Sequence, residues 1–191
     1  MKIVGLTGGI GSGKSTMLKW FKKQGVPCFE SDKVGRKMLN YNLKEQVIKR
    51  FGTEIYDIKG CLNRKKLSEI VFNNPNSLAD LNAIVHPAVD SAFKDFKIKN
   101  QDATFIINEV AILFEYGGYK ECDIIILVTA SKELRLKRVM QRDNSNRETV
   151  ISRMKNQWTD KIKIELSDYV IVNESIKDSL SHLKIVYNEL I

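Results

Sequence analysis

The stretch "GGIGSGKST", Gly8 to Thr16, has the residue types that do phosphate chemistry. It fits the pattern G-x-x-x-x-G-K-[ST] through Gly8, Gly13, Lys14 and Ser15. Glycines there turn with positive φ and let the backbone approach a ligand closely, so that successive N–H groups point at phosphate oxygens. Lys14 is placed to reach the β and γ phosphates and the Ser15 hydroxyl to sit on Mg²⁺. A helix starting at this point adds its positive N-terminal end to the same anion. Gly9, Ile10, Gly11, Ser12, Gly13, Lys14, Ser15 and Thr16 are the expected nucleotide contacts.

Other groups could act on that phosphate. Asp32, in "ESDKVGRKML", follows a short apolar run, where a carboxylate can take the proton from an attacking hydroxyl. Ser31 and Asp32 are also good helix caps. Glu109, in "NEVAILFE", stands where an acid could serve Mg²⁺ or its water shell, or satisfy a helix dipole. Arg135, Arg138 and Arg142 fall at i, i+3 and i+7 after Ser131, a plausible N-cap, and so share one helical face. Arginines beside a triphosphate neutralise developing charge, and a segment that closes over it excludes water; "RDNSNRE" reads as the turn of such a lid. His86 and His182 have no partner at metal-ligand spacing, and no serine or cysteine can be assigned to a triad. His86, before a proline and near an expected helix start, reads either as a cap or core group or as a contact to a second substrate.

These groups need a scaffold. Candidate strands are Lys2 to Thr7, Val26 to Glu30, Thr104 to Asn108, Asp123 to Thr129 and Asp168 to Asn173, each β-branched and apolar enough for burial on both faces. "KSTMLKWFKKQG" reads as a helix with Met17, Leu18 and Phe21 on its inner face. "PAVDSAFKDFKIK" reads as another, with Pro87 in its first turn and a stripe of Val89, Ala92, Phe93 and Phe96. The expected fold is α/β: a doubly wound, five-stranded parallel sheet of the P-loop type, with ligands at the carboxyl ends of the strands. The stretch between the second and third strands is far longer than one crossover helix and mostly helical, which leaves room for a second-substrate insertion.

Composition sets the outer bounds. The 191 residues, 43% hydrophobic, suffice for one compact domain. Its expected parts are a core of 1–31, 100–136 and 165–191, an insertion of about 32–99 and a lid of about 137–160. A formal charge of +8 suits an anionic partner. The basic residues are scattered and not interleaved with aromatics, so a nucleic-acid groove is not signalled. Cys28, Cys61 and Cys122 form no CxxC pair and read as reduced thiols of a cytoplasmic protein. The longest clear apolar run, "IIILV" at Ile124 to Val128, is far short of a membrane span. "DIKG", Asp57 to Gly60, imitates a GTPase DxxG, but no NKxD follows it.

The series "GLTGGIGSGKS", "SD" with Arg36 four positions after Asp32, "LNAIVHP", "AILFE", "LKRVMQRD" and "SDYVIVN" resembles dephospho-coenzyme A kinases, a family of P-loop kinases. The first motif is shared by many P-loop proteins; the whole series in this order, from residue 5 to 173, is much more specific. The resemblance implies transfer of the ATP γ-phosphoryl to the ribose 3′-hydroxyl of dephospho-coenzyme A. It implies Asp32, Lys14 and Arg142 as catalytic residues, and Arg138 and Arg142 on the adenine side and lid. The acceptor side would comprise Asp32, Arg36, Arg64, His86 and Glu109, and Mg²⁺ would sit on Ser15, with Glu109 as a second candidate. ATP and dephospho-coenzyme A are the expected partners of a monomer, with no nucleic acid or membrane. Another small-molecule or nucleotide kinase of the P-loop group is the alternative, differing in its acceptor pocket. The chain departs from the family's frequent D-A-D at Glu30-Ser31-Asp32, and from its frequent "PLL" at Ala111-Ile112-Leu113.

Overall fold

The computed structural model describes residues 1–72 and 74–191. Five strands, β1 Lys2–Thr7, β2 Cys28–Glu30, β3 Phe105–Glu109, β4 Ile124–Thr129 and β5 Tyr169–Val172, form one parallel sheet in the order β2-β3-β1-β4-β5. Each lies within the expected span or is displaced by one residue. β2 begins at Cys28 rather than Val26, and Pro27, which has no N–H to give a ladder, still accepts from Ile107 N–H at 2.9 Å. The register sets Leu6 and Glu30 both opposite Glu109, so β1, β2 and β3 end nearly level. The glycine loop therefore leaves the middle of the carboxyl edge, where an open α/β sheet binds ligands.

The strands are apolar throughout because both faces are covered. Val4, Leu6, Ile107, Ile126 and Val128 pack with Met17, Leu18 and Phe21 of α1 (Lys14–Lys23) and with Leu183, Val186 and Leu190 of α9 (Ile176–Leu190). Ile125 and Leu127, one residue out of phase, pack with Val110, Leu113 and Phe114, as a period of two requires. Phe21 is fully buried and meets the ring of Phe105 at 6.3 Å, while Trp20 meets Tyr187 at 5.4 Å. After β4 come α6 (Lys132–Asp143), α7 (Arg147–Lys155) and α8 (Asp160–Glu165). Asn144, at φ 48°, makes the left-handed turn after α6, and the Asn146 side chain caps α7 by accepting from Thr149 N–H at 2.8 Å. Ser131 occupies the N-cap position of α6, where its C=O accepts from Arg135 N–H at 3.0 Å, but its hydroxyl makes no capping bond and donates instead to Glu174 at 3.0 Å.

The chain divides into two compact units, Met1–Glu30 with Asn100–Ile191, and Ser31–Lys99. The second consists of α2 (Ser31–Asn40), α3 (Lys44–Phe51), α4 (Arg64–Phe72) and α5 (Pro75–Lys99) around Leu43, Val47, Phe51, Ile55, Leu67 and Val71. Here the sequence expectation needs correction. Pro87 does not open a helix; it lies inside the 25-residue α5, which begins at Pro75. The proline forfeits one helical bond, and packing of Ile84, Val85 and Ala88 on the unit's core offsets that loss. His86 is thus an exposed residue in the middle of this helix, not at its start. "DIKG" is a turn: Gly60 has φ 77°, and Asp57 Oδ1 accepts from Lys59 and Cys61 N–H at 2.9 and 2.8 Å.

The three cysteines are free. Burial pushes the thiols of Cys28 and Cys122 up to about 12, while Cys61 is exposed. A thiol reagent at pH 8 is therefore expected to label Cys61 alone in the native protein and all three cysteines after denaturation, as mass spectrometry would read. Phe21→Ala should cost about 3–5 kcal/mol in a urea titration, because it empties the centre of the aromatic cluster.

Candidate active site

The loop after β1 is built for close approach. Gly11 and Gly13 have φ of 81° and 96°, values that side chains other than glycine rarely adopt. A Cβ on Gly8 would strike the Val128 carbonyl, and one on Gly13 the Asn173 amide. Ser12 N–H donates to Gly9 C=O at 3.0 Å, and Thr16 N–H to Gly13 C=O at 2.9 Å, which opens α1.

Side chains from distant parts of the same unit hold this backbone. Arg135 Nε donates to Ile10 C=O at 2.9 Å, and its guanidinium forks onto Asp160 at 2.9 and 3.0 Å. Asp160 also accepts from the Thr129 hydroxyl. Arg138 donates to Asn173 C=O at 2.9 Å and, more loosely, to Ser12 C=O at 3.4 Å. Asn173 Nδ2 donates to Ser12 C=O at 2.7 Å, and its Oδ1 accepts from Ser179 at 3.0 Å. Ile10 N–H donates to Gln157 Oε1 at 2.8 Å.

Lys14, in the first turn of α1, is ion-paired with Glu109 at the end of β3, and both side chains are largely buried. The ammonium expected at the phosphates and the acid expected near the metal thus stand together. Glu30 is paired with Lys22 at 2.6 Å. Ser15 is exposed in the first turn of α1. Arg142 is not drawn to the loop: it bonds Asp143 at 2.7 Å, Arg153 shares that carboxylate at 3.0 Å, and the Arg142 hydrogen bond holds Asp143 below the usual carboxylate range.

In the helical unit, Asp32 occupies the first turn of α2, and Arg36 donates from Nε to the Asp32 carbonyl at 2.9 Å. Gly35 is buried between them in sequence, and a Cβ there would lie 3.3 Å from Val85 and 3.4 Å from Val89; α2 thus packs closely on α5 beside His86. Arg64 is exposed at the start of α4.

Residues not expected at the loop now stand beside it: Arg135, seen in sequence only as a member of an arginine face, and Gln157, Asp160 and Asn173. Asn173 ends the strand segment "SDYVIVN", a position that could have signalled it. Gln157 bonds Ile10 from 147 residues away and leaves no local periodicity. Next to it, Trp158 N–H donates to Glu115 Oε1 at 2.9 Å, and the fully buried Lys163 Nζ lies 2.8 Å from the same oxygen.

A parallel sheet in this order, with a lysine-bearing glycine loop entering α1 and arginines of α6 gripping that loop, defines a P-loop kinase fold. Residues 2–178 match the dephospho-CoA kinase family. A dephospho-CoA kinase of Fusobacterium nucleatum is 40% identical over 179 residues, covering 93% of this chain and 92% of the relative. The crystal structure of TT1252 from Thermus thermophilus superposes with a TM-score of 0.90 at 31% identity, covering 100% of this chain and 98% of that one. A dephospho-CoA kinase from Campylobacter jejuni gives 0.73 at 28% identity, covering 98% and 96%. The chain belongs to the dephospho-CoA kinase family. No helix among the described residues is long and apolar enough to cross a membrane.

Lys163 and Glu115 give a direct test of the buried electrostatics. Removing one partner strands the other charge, so Lys163→Met should cost about 3–5 kcal/mol in chemical denaturation. Adding Glu115→Gln, which keeps an acceptor for Trp158 N–H but no charge, should restore most of that loss.

Proposed function

We propose that this chain transfers the γ-phosphoryl group of ATP to the ribose 3′-hydroxyl of dephospho-coenzyme A, giving coenzyme A and ADP. The observation that carries this reading is the anchored glycine loop with Lys14 held beside it by Glu109, in a chain that matches the family from residue 2 to 178. The loop from Gly9 to Thr16 cradles the phosphates. An arriving triphosphate competes with Glu109 for the Lys14 ammonium, which then spans the β and γ oxygens.

Asp32 is the general base. Its carboxylate takes the 3′-hydroxyl proton as the oxygen attacks the γ-phosphorus and the bond to the β–γ bridging oxygen breaks, leaving ADP. Arg36, Arg64 and His86 are its companions on the acceptor side, in the helical unit Ser31–Lys99. Arg138 serves the nucleotide from α6. Arg142, exposed and paired with Asp143, exchanges that carboxylate for the transferring phosphoryl group when the lid of about 137–160 closes.

Mg²⁺ fits the donors present, since the Ser15 hydroxyl and the Glu109 carboxylate are hard oxygen ligands of the kind it prefers. When bound, it neutralises phosphate charge. The three free thiols support a reducing, cytoplasmic setting, and we place the protein there as a monomer.

Release of ADP from Mg-ATP should be strongly preferred with dephospho-coenzyme A over adenosine, other ribosides and sugar alcohols; a better acceptor among these would assign the chain to another P-loop kinase activity. Asp32→Asn should lower kcat by roughly a hundredfold or more while sparing ATP affinity, and unchanged turnover would remove Asp32 from the mechanism.

A further inference from the structure

We infer that Gln157 is a positioning residue for the nucleotide: its side-chain amide holds the phosphate loop in its binding shape through the backbone of Ile10. This rests on the nucleotide reading of the loop. Ile10 stands between Gly9 and Gly11 at the loop's outer bend, where glycine neighbours offer little resistance to rotation. Both of its backbone groups are taken. The carbonyl accepts from Arg135 Nε at 2.9 Å, and the N–H donates to Gln157 Oε1 at 2.8 Å. Its side chain packs against the cluster of Leu136, Val139 and Val150.

Gln157 is itself fixed. Its N–H donates to Met154 C=O at 3.1 Å, which ties it to the end of α7, and its Nε2 reaches Ala111 C=O at 3.4 Å in the segment after β3. Three residues on, Asp160 holds Arg135, the other grip on Ile10. The short segment from Gln157 to Asp160 therefore sets both hydrogen bonds of one loop residue, directly on one side and through Arg135 on the other. An amide committed in this way does not turn toward phosphate. Its service is to fix the bend from which the following N–H groups are aimed, so that nucleotide binding does not have to order the loop.

Gln157→Met keeps the side-chain volume and removes both hydrogen bonds. Nucleotide affinity, read as the Mg-ADP Kd by calorimetry and as the KM for ATP, should weaken about fivefold to thirtyfold, the scale of one lost hydrogen bond to a group that must stay ordered. Turnover at saturating ATP and the KM for the acceptor should not change, which is the pattern of lost uniform binding. The Ile10 amide should exchange with solvent faster in Gln157→Met and regain protection in Gln157→Glu, which keeps an acceptor opposite it. An unchanged Kd, equal Ile10 exchange in the two variants, or weakened binding accompanied by a fall in both kcat and Tm, the mark of general destabilisation, would each overturn the inference. A wild-type protein that does not bind Mg-ADP would overturn the nucleotide reading beneath it.

Discussion

A loop built from glycines cannot hold its own shape, and that constraint organises the sheet-bearing unit. The freedom that lets Gly11 and Gly13 adopt positive φ is also the freedom that would blur the loop. The remedy comes from outside. Arg135, Arg138, Gln157 and Asn173 grip the carbonyls of Ile10 and Ser12 and the amide of Ile10, and each of these side chains is fixed in turn by Asp160, Ser179 or a main-chain group. The C-terminal third of the chain thus supplies the rigidity that the N-terminal motif lacks.

Electrostatics at the site is held in reserve. The Lys14–Glu109 pair keeps an ammonium at the carboxyl edge of the sheet with its charge balanced, and in the proposed mechanism an arriving phosphate takes it over. The Arg142–Asp143 pair does the same for a guanidinium at the surface. The net charge of +8 is spread over the chain, and the field that matters to a polyphosphate is local.

The sheet and the glycine loop were legible in the sequence. Runs such as "KIVGLT" and "IIILVT" are buried on both faces and read as strands almost to the residue, and the glycine loop carries its spacing in adjacent positions. Pro87 misled, because its local rule marks a helix start while packing of Ile84 and Val85 carried α5 through it. Gln157 and Asp160 were invisible for a different reason. They bond backbone groups or arginines far away in the chain, and such bonds impose no periodicity on their own neighbourhood. The residues proposed for the acceptor side were least legible, since Arg36, Arg64 and His86 sit on three helices whose surfaces follow no motif with a mechanism of its own.

The most direct test of the account is the position of the phosphate in the product. Dephospho-coenzyme A, Mg-ATP and the purified protein should yield one new phosphomonoester whose phosphorus couples to the ribose H3′ proton in ³¹P–¹H NMR, with one ADP formed per ester. An ester on any other oxygen, or ADP released as free phosphate accumulates and the acceptor stays unchanged, would contradict the reading of this site as a 3′-hydroxyl kinase.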